Sequence, residues 1–165
     1  MKILLITCLS MLTALSWAQN PVQWSTQARK TGDNTYDLVI RADIEPKWHL
    51  YALEMPENGP LPTEFSFKGV NIVGELSHSE LKTDYDPIFE TELDFFELKA
   101  VFYQSVQIDD PSMESVEVEV IYQACDDKLC IFRQEVLDIS LSGTTEAQVS
   151  DDLTALTPES AQLLS

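Results

Sequence analysis

From Ser115 to Tyr122 every second residue is apolar: Val116, Val118, Val120 and Tyr122 alternate with Glu117, Ser115 and Glu119. A period of two fits an extended strand with one buried face, and it cannot be laid along one side of a helix. The same alternation recurs in Tyr36, Leu38, Ile40 and Ala42, in Phe96, Leu98, Ala100 and Phe102, and in Ile139 and Leu141. Shorter strands are expected at 22–29, 48–51, 64–67 and 74–79. Turn chemistry separates them: Thr31-Gly32-Asp33-Asn34, Pro56-Glu57-Asn58-Gly59-Pro60, Asp84-Tyr85-Asp86-Pro87 and Asp109-Asp110-Pro111. No segment in the body of the chain shows a helical stripe. Roughly seven to nine short strands over about 120 residues predict an all-β domain, an immunoglobulin-like antiparallel β-sandwich, with a small barrel as the alternative. Leu38, Ile40, Leu98, Phe102, Val118 and Val120 are expected inside it.

The ends read differently. Met1-Lys2 is basic, the following run to Leu15 is largely apolar, and Ser16-Trp17-Ala18 offers small residues around a cleavage point. This is the layout of a secretory signal peptide, and its apolar run of about 13 residues is too short to span a bilayer. The expected organisation is a signal peptide at 1–18, one domain at 19–142 and a polar tail at 143–165. Cleavage takes Lys2 and no acid, so the net charge moves from −18 to −19. A surface this acidic repels nucleic acid and anionic lipid. No later segment is apolar enough for membrane insertion. The expected fate is export through the signal peptide.

Cleavage also removes Cys8 and leaves two cysteines, Cys125 and Cys130, in an oxidising compartment, where a close pair is expected to be joined. They flank Asp126-Asp127-Lys128-Leu129, between a strand ending near Tyr122 and another starting near Ile131. Strands of a hairpin lie about 5 Å apart, which suits a disulfide. A bond closing so short a loop contributes only about 2 kcal/mol on the chain-entropy account. A disulfide in an exposed turn is also open to an attacking thiolate. Redox exchange, a structural staple and metal binding are the three roles this pair allows. The C-x4-C spacing is neither the thioredoxin C-x-x-C nor a zinc-finger pattern. Asp126 and Asp127 oppose thiolate formation by like charge while Lys128 favours it, and the two acids also suit a turn. His49 and His78 are the histidines available to a metal site, but a lone histidine among aromatic residues is more often packing. No phosphate-binding glycine loop and no serine nucleophile with its partners is present, and no cofactor is expected.

The segment Tyr122-Gln123-Ala124-Cys125-Asp126-Asp127-Lys128-Leu129-Cys130 resembles the cysteine hairpin of the N-terminal periplasmic domain of DsbD, the transmembrane thiol–disulfide reductase. Trp48-His49-Leu50-Tyr51, after Glu45-Pro46-Lys47, resembles that family's aromatic strand. Tyr85-Asp86-Pro87-Ile88-Phe89-Glu90-Thr91-Glu92 resembles its cap loop and the strand that follows. The three occur in the family's order, over roughly 22–142. The resemblance implies an immunoglobulin-like fold and a shuttle between thioredoxin-like periplasmic proteins and a membrane-bound electron donor. It implies that Cys125 and Cys130 are the redox pair, with Cys130 forming the mixed disulfide. His49 and Tyr51 would point towards the pair, Asp86 would be the acidic residue of the cap, Ile88 and Phe89 would shield the disulfide, and Tyr122 would support the hairpin. The chain departs from the family's best-known members in having one residue fewer between the cysteines, Asp86-Pro87 in place of two acids, and histidine where tyrosine is frequent. The family's membrane and thioredoxin-like parts are absent from the sequence, as for a stand-alone relative or a fragment. The rival function is an immunoglobulin-like protein-binding module with a structural hairpin disulfide.

Overall fold

The alternating segment around Val118 lies along the middle of a sheet. In the computed structural model, which describes residues 20–142, ten strands follow in order. They are β1 (Val22–Lys30), β2 (Thr35–Ile44), β3 (His49–Tyr51), β4 (Glu64–Phe67), β5 (Asn71–His78), β6 (Lys82–Asp86), β7 (Thr91–Glu97), β8 (Lys99–Gln107), β9 (Ser115–Cys125) and β10 (Cys130–Ser140). A four-stranded sheet runs β1-β2-β8-β5 and a six-stranded sheet runs β10-β9-β3-β7-β6, with β4 also paired to β9. All pairings are antiparallel. The two sheets form an all-β, immunoglobulin-like sandwich. Among the described residues there is no helix, and so none long and apolar enough to cross a membrane. The signal peptide and polar tail expected at 1–18 and 143–165 lie outside the described residues.

The core sits between the inner faces, as the period-two pattern requires. Leu38, Ile40 and Ala42 of β2 and Ala100, Phe102 and Val106 of β8 face Leu50 of β3, Phe96 of β7, and Val116, Val118, Val120, Tyr122 and Ala124 of β9. Each fully buried Leu, Ile, Val or Phe among them contributes about 1.5–3 kcal/mol. One such residue therefore matches the whole contribution expected of a short-loop disulfide.

Two expectations about strands fail. Leu98 is not inside: it is 63% exposed, with φ +64°. The alternation from Phe96 to Phe102 belongs to two strands, because the chain leaves the six-stranded sheet after Glu97 and enters the four-stranded sheet at Lys99. Leu98 is the corner. Its carbonyl accepts the Ile44 N–H at 2.8 Å while its side chain turns outward, and Phe96 and Ala100 reach the core from opposite sheets. Asp84-Tyr85-Asp86-Pro87 is not wholly a turn either. Lys82–Asp86 is a strand that pairs with Thr91–Phe95, and the chain reverses through Pro87, Ile88, Phe89 and Glu90, the last in the left-handed region at φ +55°.

Candidate functional site

Cys125 ends β9 and Cys130 opens β10, and they are directly paired across the hairpin with Cα atoms 4.1 Å apart. The two sulfurs are joined in a disulfide. The connecting turn builds itself. Asp126 N–H donates to the Leu129 carbonyl (2.9 Å), and the Asp126 carboxylate accepts the N–H groups of Lys128 (2.8 Å) and Leu129 (2.7 Å). Those two backbone donors hold the Asp126 carboxyl below its ordinary pKa. The turn-forming role of Asp126 is thus visible in the geometry.

Parity along β9 decides which face the disulfide occupies. Ala124, Tyr122 and Val120 point into the sandwich, so Cys125 and Gln123 point out of it. The disulfide lies on the outer face of the six-stranded sheet and does not link the two sheets. A second, smaller apolar cluster covers that face: Tyr51, Leu93, Phe95 and Cys125 are buried, and Met55, Phe89 and Cys130 pack against them half-buried. Cys125 is 1% exposed. The two sulfurs are therefore unequal in access.

β3 supplies the aromatic wall. His49 pairs in register with Cys125 on one side and Glu97 on the other, and directly opposed residues share a face, so the imidazole is a lateral neighbour of the disulfide. The ring stacks on Phe95 (centroids 4.1 Å, interplanar angle 15°), and its Nε2 lies 3.1 Å from Glu97 Oε1. Lys82 reaches the same carboxylate, 3.2 Å from each oxygen, and lies over the Phe95 ring. Tyr51, two residues on, shares the face of His49. Its hydroxyl donates to Asp86 Oδ2 at 2.6 Å, and its ring meets Phe89 edge-on with centroids 6.0 Å apart. Burial, reinforced by the Asp86 hydrogen bond and charge, raises the Tyr51 hydroxyl well above the ordinary tyrosine pKa.

Asp86 is buried at the end of β6, 4% exposed, and its other oxygen accepts the N–H groups of Ile88 (2.8 Å) and Phe89 (3.2 Å). One carboxylate therefore ties the turn of the β6–β7 hairpin to the aromatic wall. Phe89 turns inward to the cysteine cluster, while the side chain of Ile88 is exposed.

Among the residues expected at the site, Cys125, Cys130, His49, Tyr51, Asp86 and Phe89 meet on this one face. Ile88 sits on the same turn, turned towards solvent. Tyr122 does not join them. It is three positions from Cys125, an odd spacing that puts it on the core face, where its hydroxyl donates to Glu135 Oε1 at 2.6 Å. Burial is the main cause that raises its pKa above the ordinary value. His78 lies in the other sheet, edge-on to Phe96, so the two histidines do not converge. Among the described residues no group of three or more His, Cys, Asp and Glu side chains is arranged to hold a metal ion.

Sequence reasoning missed Leu93, Phe95, Glu97, Lys82 and Gln123. The signal for the first two is the run Leu93-Asp94-Phe95-Phe96, in which apolar residues fall on both faces of one strand. A strand apolar on both faces is covered on both faces.

Comparison with known proteins bears on the same region. Residues 19–141 match the family described as thiol:disulfide interchange protein DsbD, N-terminal. No curated protein matches the chain. Among solved structures, the N-terminal periplasmic domain of ScsB from Proteus mirabilis superposes with TM-score 0.64 at 13% identity, covering 82% of this chain and 53% of that one. The chain thus spans about half the length of that domain. The reduced DsbD N-terminal domain of Neisseria meningitidis superposes with TM-score 0.50 at 17% identity, covering 75% of this chain and 87% of that one. At these identities the superpositions speak for the shared sandwich alone, whereas the match over 19–141 takes in both cysteines, the aromatic strand and the Asp86 hairpin: the chain belongs to the DsbD N-terminal domain family.

Proposed function

We propose that this domain is a periplasmic electron carrier working by thiol–disulfide exchange through Cys125 and Cys130. Its partners are thioredoxin-like proteins, one of them a membrane-bound electron donor. Residues 1–18 serve as the export signal. The observation that carries this reading is the position of the disulfide. It bridges two strands already paired as a hairpin, lies on an outer sheet face, and leaves one sulfur buried and the other half-buried. A staple is expected to join parts of the chain that the sheets do not already hold, and this bond joins none. An exchange site needs one sulfur within reach of a partner and a second that resolves the mixed bond. Cys130 suits the first role and Cys125 the second. The Asp86 hairpin and the inward Phe89 screen the bond from adventitious thiols.

The reduction potential tests the proposal. A value of about −120 to −270 mV, the range of exchange proteins, supports the carrier. A value below about −300 mV is that of a structural disulfide and leaves a protein-binding module as the function.

A further inference from the structure

Gln123 stands two residues before Cys125 on β9, on the same outer face, and its Nε2 lies 3.6 Å from Cys125 Sγ. Which end of a side-chain amide faces a neighbour is settled by the hydrogen bonds around it. Here the other end is fixed: Gln123 Oε1 accepts the backbone N–H of Leu61 at 2.9 Å. A backbone N–H only donates, so the oxygen must face Leu61 and the NH₂ must face the sulfur. Leu61 is itself held. It stands between Pro60 and Pro62, and the next residue, Thr63, donates its N–H to Ala52 (2.9 Å) and its hydroxyl to the Tyr51 carbonyl (2.6 Å). The amide is thus aimed at the disulfide before any reaction begins.

We propose that Gln123 is a catalytic residue, whose side-chain N–H stabilises the thiolate that leaves on Cys125 when the disulfide is opened. The assignment of physiological thiols rests on the carrier function above; the role of Gln123 concerns any thiol that reduces the bond. A thiolate attacks Cys130 Sγ, and a bond forms between the incoming sulfur and Cys130. The Cys125–Cys130 bond breaks, and its electron pair departs on Cys125 Sγ as a thiolate. In the reverse direction that thiolate attacks Cys130, re-forms the disulfide and expels the partner's thiolate. No other oxidant or reductant enters the step.

The sulfur is a weak acceptor while it is in the disulfide and a strong one when it carries the negative charge. The Gln123 N–H therefore binds the transition state more tightly than the ground state, which is the condition for accelerating a step. The need is acute at Cys125. Burial at 1% exposure withholds water from the departing charge, and a neighbouring Asp126 opposes it.

The test measures reduction of the oxidised domain by dithiothreitol at pH 7. Gln123→Met keeps the length and removes both polar ends. Gln123→Glu keeps an oxygen for Leu61 and removes the donor. Gln123→Met is expected to be reduced about tenfold more slowly than the parent, the scale of one hydrogen bond to a charged group, and Gln123→Glu at least as slowly, because its own charge also opposes the departing thiolate. In denaturant, where the site is gone, all rates should converge. Reduction of Gln123→Met at the parent rate overturns the proposal. So does a slow Gln123→Met beside a Gln123→Glu at the parent rate, because the effect would then belong to the Leu61 anchor. Dithiothreitol needs no partner recognition, so failure of the carrier function, seen as a potential below about −300 mV, is read separately.

Discussion

Tyr51 and Asp86, 35 residues apart, are joined by a buried 2.6 Å hydrogen bond that reaches past β7 from β3 to the end of β6. The same carboxylate holds the turn carrying Ile88 and Phe89. The turn proposed to screen the disulfide is therefore fastened to the wall beside it.

Breaking that link should loosen the screen. Asp86→Ala strips the acceptor from the buried Tyr51 hydroxyl and from two backbone donors, and a buried donor left unpaired costs about 1–3 kcal/mol. Urea unfolding should show a loss of that size, and dithiothreitol should reduce the folded variant faster than the parent. An unchanged reduction rate would show that the turn keeps its place without Asp86.

The two turn residues should contribute unequally. Ile88→Ala together with Phe89→Ala is expected to speed reduction by a small thiol with little loss of stability, since an exposed and a half-buried loop residue bury little area. Phe89→Ala alone should account for most of the acceleration, because only Phe89 packs with the cysteines and Tyr51. A larger effect from Ile88→Ala would reverse this assignment.

The unequal burial of the sulfurs predicts an asymmetric trap. Cys125→Ser should accumulate a mixed disulfide with a thioredoxin-like partner through Cys130, and Cys130→Ser far less, scored on non-reducing gels. Both variants should stay folded, because the closed loop contributes only about 2 kcal/mol. If both unfold, the bond is a staple. If only Cys130→Ser traps a partner, the roles of the two sulfurs are exchanged.

Stability should fall in alkali. Tyr51 and Tyr122 both hold their protons above the ordinary tyrosine pKa of 10.0, each mainly because of burial. Above pH 10 the unfolded chain gives up these protons and the folded chain keeps them, so rising pH favours the unfolded state. Their contribution is complete below pH 10 and is lost progressively as pH climbs above it. Phenolate absorbance should show these two rings ionising only as the protein unfolds. A titration in which all tyrosines ionise together near pH 10, with the fold intact, would contradict the burial of both hydroxyls.

The sequence by itself determined the local facts. Period-two alternation specified strands at 36–42 and 116–122 because a pleated chain with one buried face admits no other spacing. The four-residue turn between Cys125 and Cys130 was readable because Asp126 forms its turn with its own neighbours. Parity, too, was available: Tyr122 and Cys125 are an odd number apart and cannot share a face. Tertiary structure decided everything that depends on which strands become neighbours. Leu98 continued a faultless alternation and still points outward, since the chain changes sheets there, and no local pattern marks a corner. His49 lies against Cys125, and Lys82 against Glu97, only because β3 entered between β9 and β7 and β6 folded onto β7. Gln123 aims its N–H at the sulfur because a segment some 60 residues earlier in the chain occupies its oxygen. Alternation and turn chemistry act within a few residues, whereas the site is assembled by sheet pairing between distant ones.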